Sequence, residues 1–155
     1  MNPDILKQLF EYNKYCIEVN TEGLTQADSL IQPQPAGNCL NWTLGHIVAS
    51  RQGILALLQQ PQNWDKRDSA RYTRGSQPIV HADGAFTLER LLTDFQCSQD
   101  GVLRGLSKLT QDDFDKQLDQ KTLGEKVSFL YFHETYHVGQ VGLLRRMAGK
   151  PGVIR

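Results

Sequence analysis

The sequence predicts an all-α protein, a four-helix bundle. Apolar residues recur at helical spacing over four stretches of the chain, and no stretch shows the sustained alternation of a half-buried strand. The longest patternless stretch, residues 60–86, carries Pro61, Gly75, Pro78 and Gly84 and reads as a connection. Helices of about 20 residues span about 30 Å each, the scale of a bundle.

The first helix runs roughly from Pro3 to Leu24. Pro3 suits a first turn, and Ile5, Leu6, Leu9, Cys16 and Ile17 form its stripe. The second runs from about Leu40 to Gln59 and stops at Pro61. It has two faces. Leu44, Ile47, Val48, Leu55 and Leu58 form one; Trp42, His46, Ala49, Ser50 and Gly53 form the other, so it sits inside the bundle. The third starts after Thr87, an N-cap, and runs to Leu106 or Leu109 along Leu88, Leu91, Leu92, Phe95, Val102 and Leu106. Thr110-Gln111-Asp112-Asp113 then opens a short helical turn. The fourth runs from about Thr122, capped with Glu125 in a capping box, to Ala148, where Gly149-Lys150-Pro151-Gly152 stops it. Adjacent antiparallel helices need only a few linking residues. The long 60–86 connection is therefore expected to be a crossover between helices running the same way.

At 155 residues the chain is expected to form a single domain, residues 1–155. Its 17 basic and 17 acidic residues balance, which argues against nucleic acid or an anionic membrane as the main partner. No apolar run is long enough for a transmembrane helix. The N-terminus lacks the pattern of a secretory signal. The three cysteines, Cys16, Cys39 and Cys97, are expected to be reduced thiols of a cytoplasmic protein, with Cys16 and Cys97 buried and inert.

The most informative motif lies in the fourth helix. His133-Glu134-Thr135-Tyr136-His137 is an H-E-x-x-H pattern. Histidines at i and i+4 project from one helix face and can chelate one metal ion, with the glutamate as a candidate general base. A zinc peptidase of this signature takes its third ligand downstream. Here Gln140 and Leu143 stand at the diagnostic positions, and no His, Asp, Glu or Cys follows His137. A peptidase is disfavoured, and any third ligand must lie upstream. His46 is the candidate, on a small-residue face where Ala49, Ser50 and Gly53 leave room for a cavity. His81, in the crossover, reads as solvated, with a fourth ligand or a gate as the other roles open to it.

Asn41-Trp42-Thr43-Leu44-Gly45-His46-Ile47, together with His133 to Arg146 and then Gly149-Lys150-Pro151, resembles the DinB/YfiT-like family over nearly the whole chain. The Gly139-Gln140 pair after the second His and Leu144-Arg145-Arg146 sharpen the match. The resemblance implies an up-down-down-up four-helix bundle, often a homodimer, with a divalent metal, zinc or nickel, on three His. By the residue matches these are His46, His133 and His137. It also implies a metal-dependent hydrolase or a low-molecular-weight-thiol S-transferase or isomerase.

Three neutral His ligands leave a coordination position open, as in catalytic sites. The expected function is therefore metal-assisted hydrolysis or thiol transfer with a water or thiolate nucleophile. The alternative is a non-catalytic stress-response or binding bundle with a structural or vestigial metal. Glu134 has three roles open: general base, partner of a ligand, or interhelical salt bridge. Gln140 shares the His stripe and is either a ligand-binding or a buried structural amide. Trp42, one turn before His46, is a candidate pocket wall. Gly139 and Gly142, with Thr135, form a small face for helix packing or a dimer contact.

Overall fold

The computed structural model describes residues 2–154 and shows an all-α helical bundle. Four long helices dominate: α1 (Pro3–Thr21), α3 (Leu40–Leu57), α5 (Leu88–Leu106) and α7 (Leu123–Met147). Short helices α2 (Gln26–Ser29), α4 (Lys66–Ala70) and α6 (Gln111–Phe114) lie between them, with a 3-10 turn at Ala82–Gly84. Local chemistry explains the boundaries. Asn2 caps α1 ahead of Pro3, and Thr87 caps α5. Thr122 and Glu125 close a reciprocal capping box at the start of α7, and Thr110 and Asp113 close one at α6. Gly149, at φ +75°, follows α7 in the left-handed conformation that favours glycine.

The expectations for the sheet and for the cysteines need correction. A two-stranded antiparallel ladder, β1 (Gln117–Leu118) with β2 (Lys121–Thr122), stands where no sheet was expected. It is too short for an alternating pattern to register. Cys97 is exposed and Cys16 only half-buried, while Cys39 is buried; all three are free thiols. Burial pushes the Cys16 thiol above its ordinary pKa.

Helix α7 packs on α1 and α3, and α5 packs on the same two helices. The apolar interior falls into two clusters. One gathers Ile17, Leu44, Ile47, Leu91, Phe95 and Val141. The other gathers Leu6, Phe10, Leu55, Val102, Leu106 and Val127. Between them every long helix contributes buried polar side chains: Asn13, Arg51, Ser98 with Gln99, and Glu134. Among the described residues no helix is long and apolar enough to cross a membrane.

The 60–86 connection folds back over the start of α3. Trp64, Tyr72, Ile79 and Phe86 bury themselves in the first cluster. The Tyr72 hydroxyl accepts from the Phe86 backbone N–H and donates to Asn41 Oδ1. Its ring packs against α3 at Gly45, where a Cβ would overlap the ring carbons. Gly53, which the sequence suggested as the position needing space, is exposed and meets only an ordinary contact from Leu130.

Replacing Gly45 with Ala is therefore expected to destabilise the protein by about 1–3 kcal/mol through overpacking, measured by urea unfolding. Gly53→Ala should be neutral or slightly stabilising, because it adds helix propensity without a clash. Equal loss at both positions would contradict the close approach at Gly45.

Candidate metal centre

The bundle brings together the three histidines expected from the sequence. His46 comes from α3, and His133 and His137 from adjacent turns of α7. His133 Nε2 lies 3.3 Å from His46 Nε2 and 3.2 Å from His137 Nε2. Zinc–nitrogen bonds of 2.0–2.1 Å in a tetrahedron separate ligand nitrogens by about 3.3 Å. The spacing fits one first-row ion, and the three side chains could hold it.

The outer nitrogens show why Nε2 is the inward atom. A carbonyl oxygen only accepts, so His46 Nδ1–H donates to Tyr72 O at 2.6 Å. His137 Nδ1–H donates to Gln140 Oε1 at 2.8 Å. Both bonds place the proton on Nδ1 and turn the Nε2 lone pair toward the shared centre, as outer partners do around metal-ligating histidines. His133 Nδ1 is buried without a protein partner. Trp42 stacks on His46 with ring centroids 4.7 Å apart and planes 11° off parallel, which holds the imidazole from the other side.

Burial sets the electrostatics. It lowers the pKa of His46, against the opposing Tyr72 carbonyl, and lowers that of His133, against the opposing Glu134 carboxylate. His137 is pushed down to about 4, chiefly by burial, with the other two imidazoles adding to the effect and Gln140 opposing it. All three rings are therefore neutral at pH 7, the protonation state a metal ligand requires.

The centre opens into a cleft of about 680 Å³. Its walls are mainly apolar, built from Pro33, Trp42, Tyr136, Leu143, Leu144 and Met147. Ala49, Ser50 and Gly53, the small residues expected to leave room for a cavity, do not line it. The cleft instead lies between α7, the N-terminal end of α3 and residues 33–38 and 74. His81 is exposed at the start of the 3-10 turn and is not part of the histidine cluster.

Glu134 points away from this cleft into the bundle interior. It is 1% exposed, and its two oxygens accept from Arg51 Nε at 2.8 Å and Nη2 at 2.9 Å, with Asn13 Nδ2 at 3.2 Å. Of the three roles open to it, the structure shows the interhelical salt bridge. Arg51 is fully buried, and its remaining donors reach Phe95 O, Ser98 Oγ and Gln99 Oε1, while its guanidinium lies 3.9 Å from the Phe95 ring centroid. Sequence reasoning missed this arginine. The available signal was that Arg51 is the single charged residue of α3, a helix apolar on two faces. A lone charge there demands a buried partner. It also missed Arg145, which is buried and donates to the carbonyls of Asn20, Glu22 and Pro151, tying the end of α1 to α7.

On the small face of α7, Gly142 approaches Asn20 of α1, while Gly139 faces open space. Thr135 exchanges hydrogen bonds with Asn13.

The family model of the DinB superfamily matches residues 18–141. The chain belongs to the DinB superfamily. The match spans His46 and the His133–His137 pair, so the histidine cluster of this DinB-superfamily protein lies wholly within the family region. No curated protein matches the chain.

Replacing Glu134 with Gln leaves the Arg51 charge buried without its counter-ion, a change that costs about 3–5 kcal/mol in comparable sites. The expected result is a large fall in urea midpoint, with metal uptake by the folded fraction unchanged. Wild-type stability in Glu134→Gln would contradict the structural role. Loss of metal from a fully folded variant would instead tie Glu134 to the centre.

Proposed function

We propose that this DinB-superfamily protein is a metal-dependent enzyme, a hydrolase or a low-molecular-weight-thiol S-transferase, with His46, His133 and His137 as the ligands of one divalent ion, zinc or nickel. The observation that carries the reading is the convergence of three Nε2 atoms at ligand spacing on the floor of an open, mostly apolar cleft. An ion held there supplies Lewis-acid chemistry and brings the pKa of water or a thiol toward neutrality. The protein's own side chains do the rest. Tyr72 O and Gln140 orient two ligands, Trp42 stacks on His46, and the mainly apolar walls line the approach to the centre. Glu134, held by Arg51, takes no part in the chemistry in this reading.

We further read the chain as a single DinB-like domain in the up-down-down-up arrangement, located in the cytoplasm, where its three free thiols are at home. Support for the arrangement comes from residue pairs. Phe10 meets Tyr131 and Asn13 meets Glu134, so numbers rise together along α1 and α7. Arg51 meets Ser98 and Leu55 meets Gly101, so they also rise together along α3 and α5. Between α3 and α7 they run oppositely, from His46 with His137 to Gly53 with Leu130.

A homodimer completes the proposal. Phe129, Phe132, Tyr136 and Leu143 stand exposed along α7, and Tyr12 and Tyr15 along α1. Large apolar side chains left exposed on two neighbouring helices favour an interface there. Phe132→Glu is expected to convert a dimer to a monomer in analytical ultracentrifugation. A wild-type chain that sediments as a monomer at high concentration would remove the dimer.

The metal reading predicts about one zinc or nickel per chain after purification without chelator, and loss of that ion in His46→Ala, by elemental analysis. A wild-type protein that takes up neither ion would sink it. The alternative, a binding bundle with a structural metal, predicts that chelation lowers Tm while a panel of esters, amides and thiol conjugates shows no metal-dependent turnover. Turnover lost on chelation and restored by metal decides for the enzyme.

A further inference from the structure

The cleft has a second polar feature besides the histidines. Arg74 lines it, and among the described residues no carboxylate does. The guanidinium is exposed and has no hydrogen bond or ion pair among the described residues. Arg67, Arg104 and Arg146 are also exposed without such a bond, and Arg74 differs from them in lining the histidine cleft.

The backbone that carries Arg74 is anchored on both sides. Two residues before it, Tyr72 O receives the His46 imidazole and the Tyr72 ring lies on Gly45. Two residues after it, Ser76 Oγ accepts from Trp42 Nε1 at 2.9 Å. The Thr73 O to Ser76 N bond closes the turn between these anchors, with Gly75 at φ +84°. Both anchors attach to the residues that stack at the candidate centre, Trp42 and His46. The backbone at Arg74 is thus set in a fixed relation to the histidines, and its side chain is free to reach for a ligand in the cleft.

We propose that Arg74 binds the anionic group of the substrate, so that the cleft takes a small molecule with an apolar body and a carboxylate. The proposal rests on the reading of this cleft as the substrate site. An arginine fork matches a carboxylate in two parallel hydrogen bonds, and the apolar walls that share the cleft with Arg74 and the histidines suit a hydrocarbon body. The absence of lining carboxylates leaves nothing in the cleft to repel an anion.

The test uses the full chain stripped of metal with chelator, at pH 8, where the three imidazoles are neutral and Arg74 is the charged group of the cleft. Calorimetric titration compares 4-phenylbutyrate with the neutral 4-phenylbutanamide. The wild type should bind the acid about tenfold more tightly than the amide, as expected for a charge-assisted hydrogen bond. Arg74→Ala should bind the two alike, at the affinity of the amide, and Arg74→Lys should keep part of the preference. Unchanged melting curves show that the exposed substitutions leave the fold intact. Equal binding of acid and amide by the wild type, a preference that survives Arg74→Ala, or no saturable binding of the acid in the millimolar range overturns the proposal. Metal uptake is measured separately. A protein that binds no metal yet shows the Arg74-dependent preference defeats the enzyme reading and leaves the anion site standing.

Discussion

The Arg51–Glu134 ion pair is the constraint on which the rest of the bundle depends. A guanidinium with no exposure makes two parallel hydrogen bonds to a carboxylate that is equally hidden, and spends its other donors on α5. Two charges taken out of water cost several kcal/mol each, so this geometry persists only because every donor of Arg51 finds an acceptor. With Asn13 on the carboxylate, the pair touches all four long helices in one polar layer between two apolar clusters. Sliding α3 or α7 by a turn would leave a charge unpaired, and sliding α1 or α5 would orphan hydrogen-bonding groups on the pair, penalties that an apolar layer would not impose.

That layer also aims the histidines. Successive helical residues are about 100° apart, so a carboxylate fixed toward the interior fixes where its neighbour His133 points. The imidazole is turned to the side of α7 that meets the start of α3, and His137 follows one turn later on the same side. On the other face of the centre, the folded-back connection supplies the Tyr72 carbonyl, and Gly45 lets that ring lie on the helix. The centre is thus positioned from two directions, by a buried charge beneath and by a packed loop beside it. This is the support that a site on rigid elements needs.

Much of the fold was legible along the chain because its signals are local. Thr87, Thr122 with Glu125, and Thr110 with Asp113 cap helices where the sequence says they should. The i, i+4 spacing of His133 and His137 is a property of one helix, visible without any neighbour. The short helices α2 and α4 and the two-residue ladder were not legible. Four or five residues carry too little periodicity to stand out, and their stability comes from what they pack against. Gly45 and Gly53 make the same point in a pair. Both are helical glycines in sequence, and only the position of the Tyr72 ring tells which one the fold requires.

The sequence by itself determined the helical class, the long helices with their caps, and the His133–His137 pair as candidate ligands, because periodicity, capping and i, i+4 spacing are encoded within single elements; His46 joined them as the upstream candidate and through the family resemblance. Tertiary structure alone decided the role of Glu134. In sequence it is the base of a familiar motif; in the fold its carboxylate is turned toward Arg51, 83 residues away, and faces away from the cleft. It likewise decided that Gln140 and the Tyr72 carbonyl orient His137 and His46, that Trp42 stacks on His46, and that Arg74 lines the cleft. The reason is physical. The partner of a buried charge or of a ring nitrogen is set by which helices meet and in what register, and no spacing within one helix contains that information.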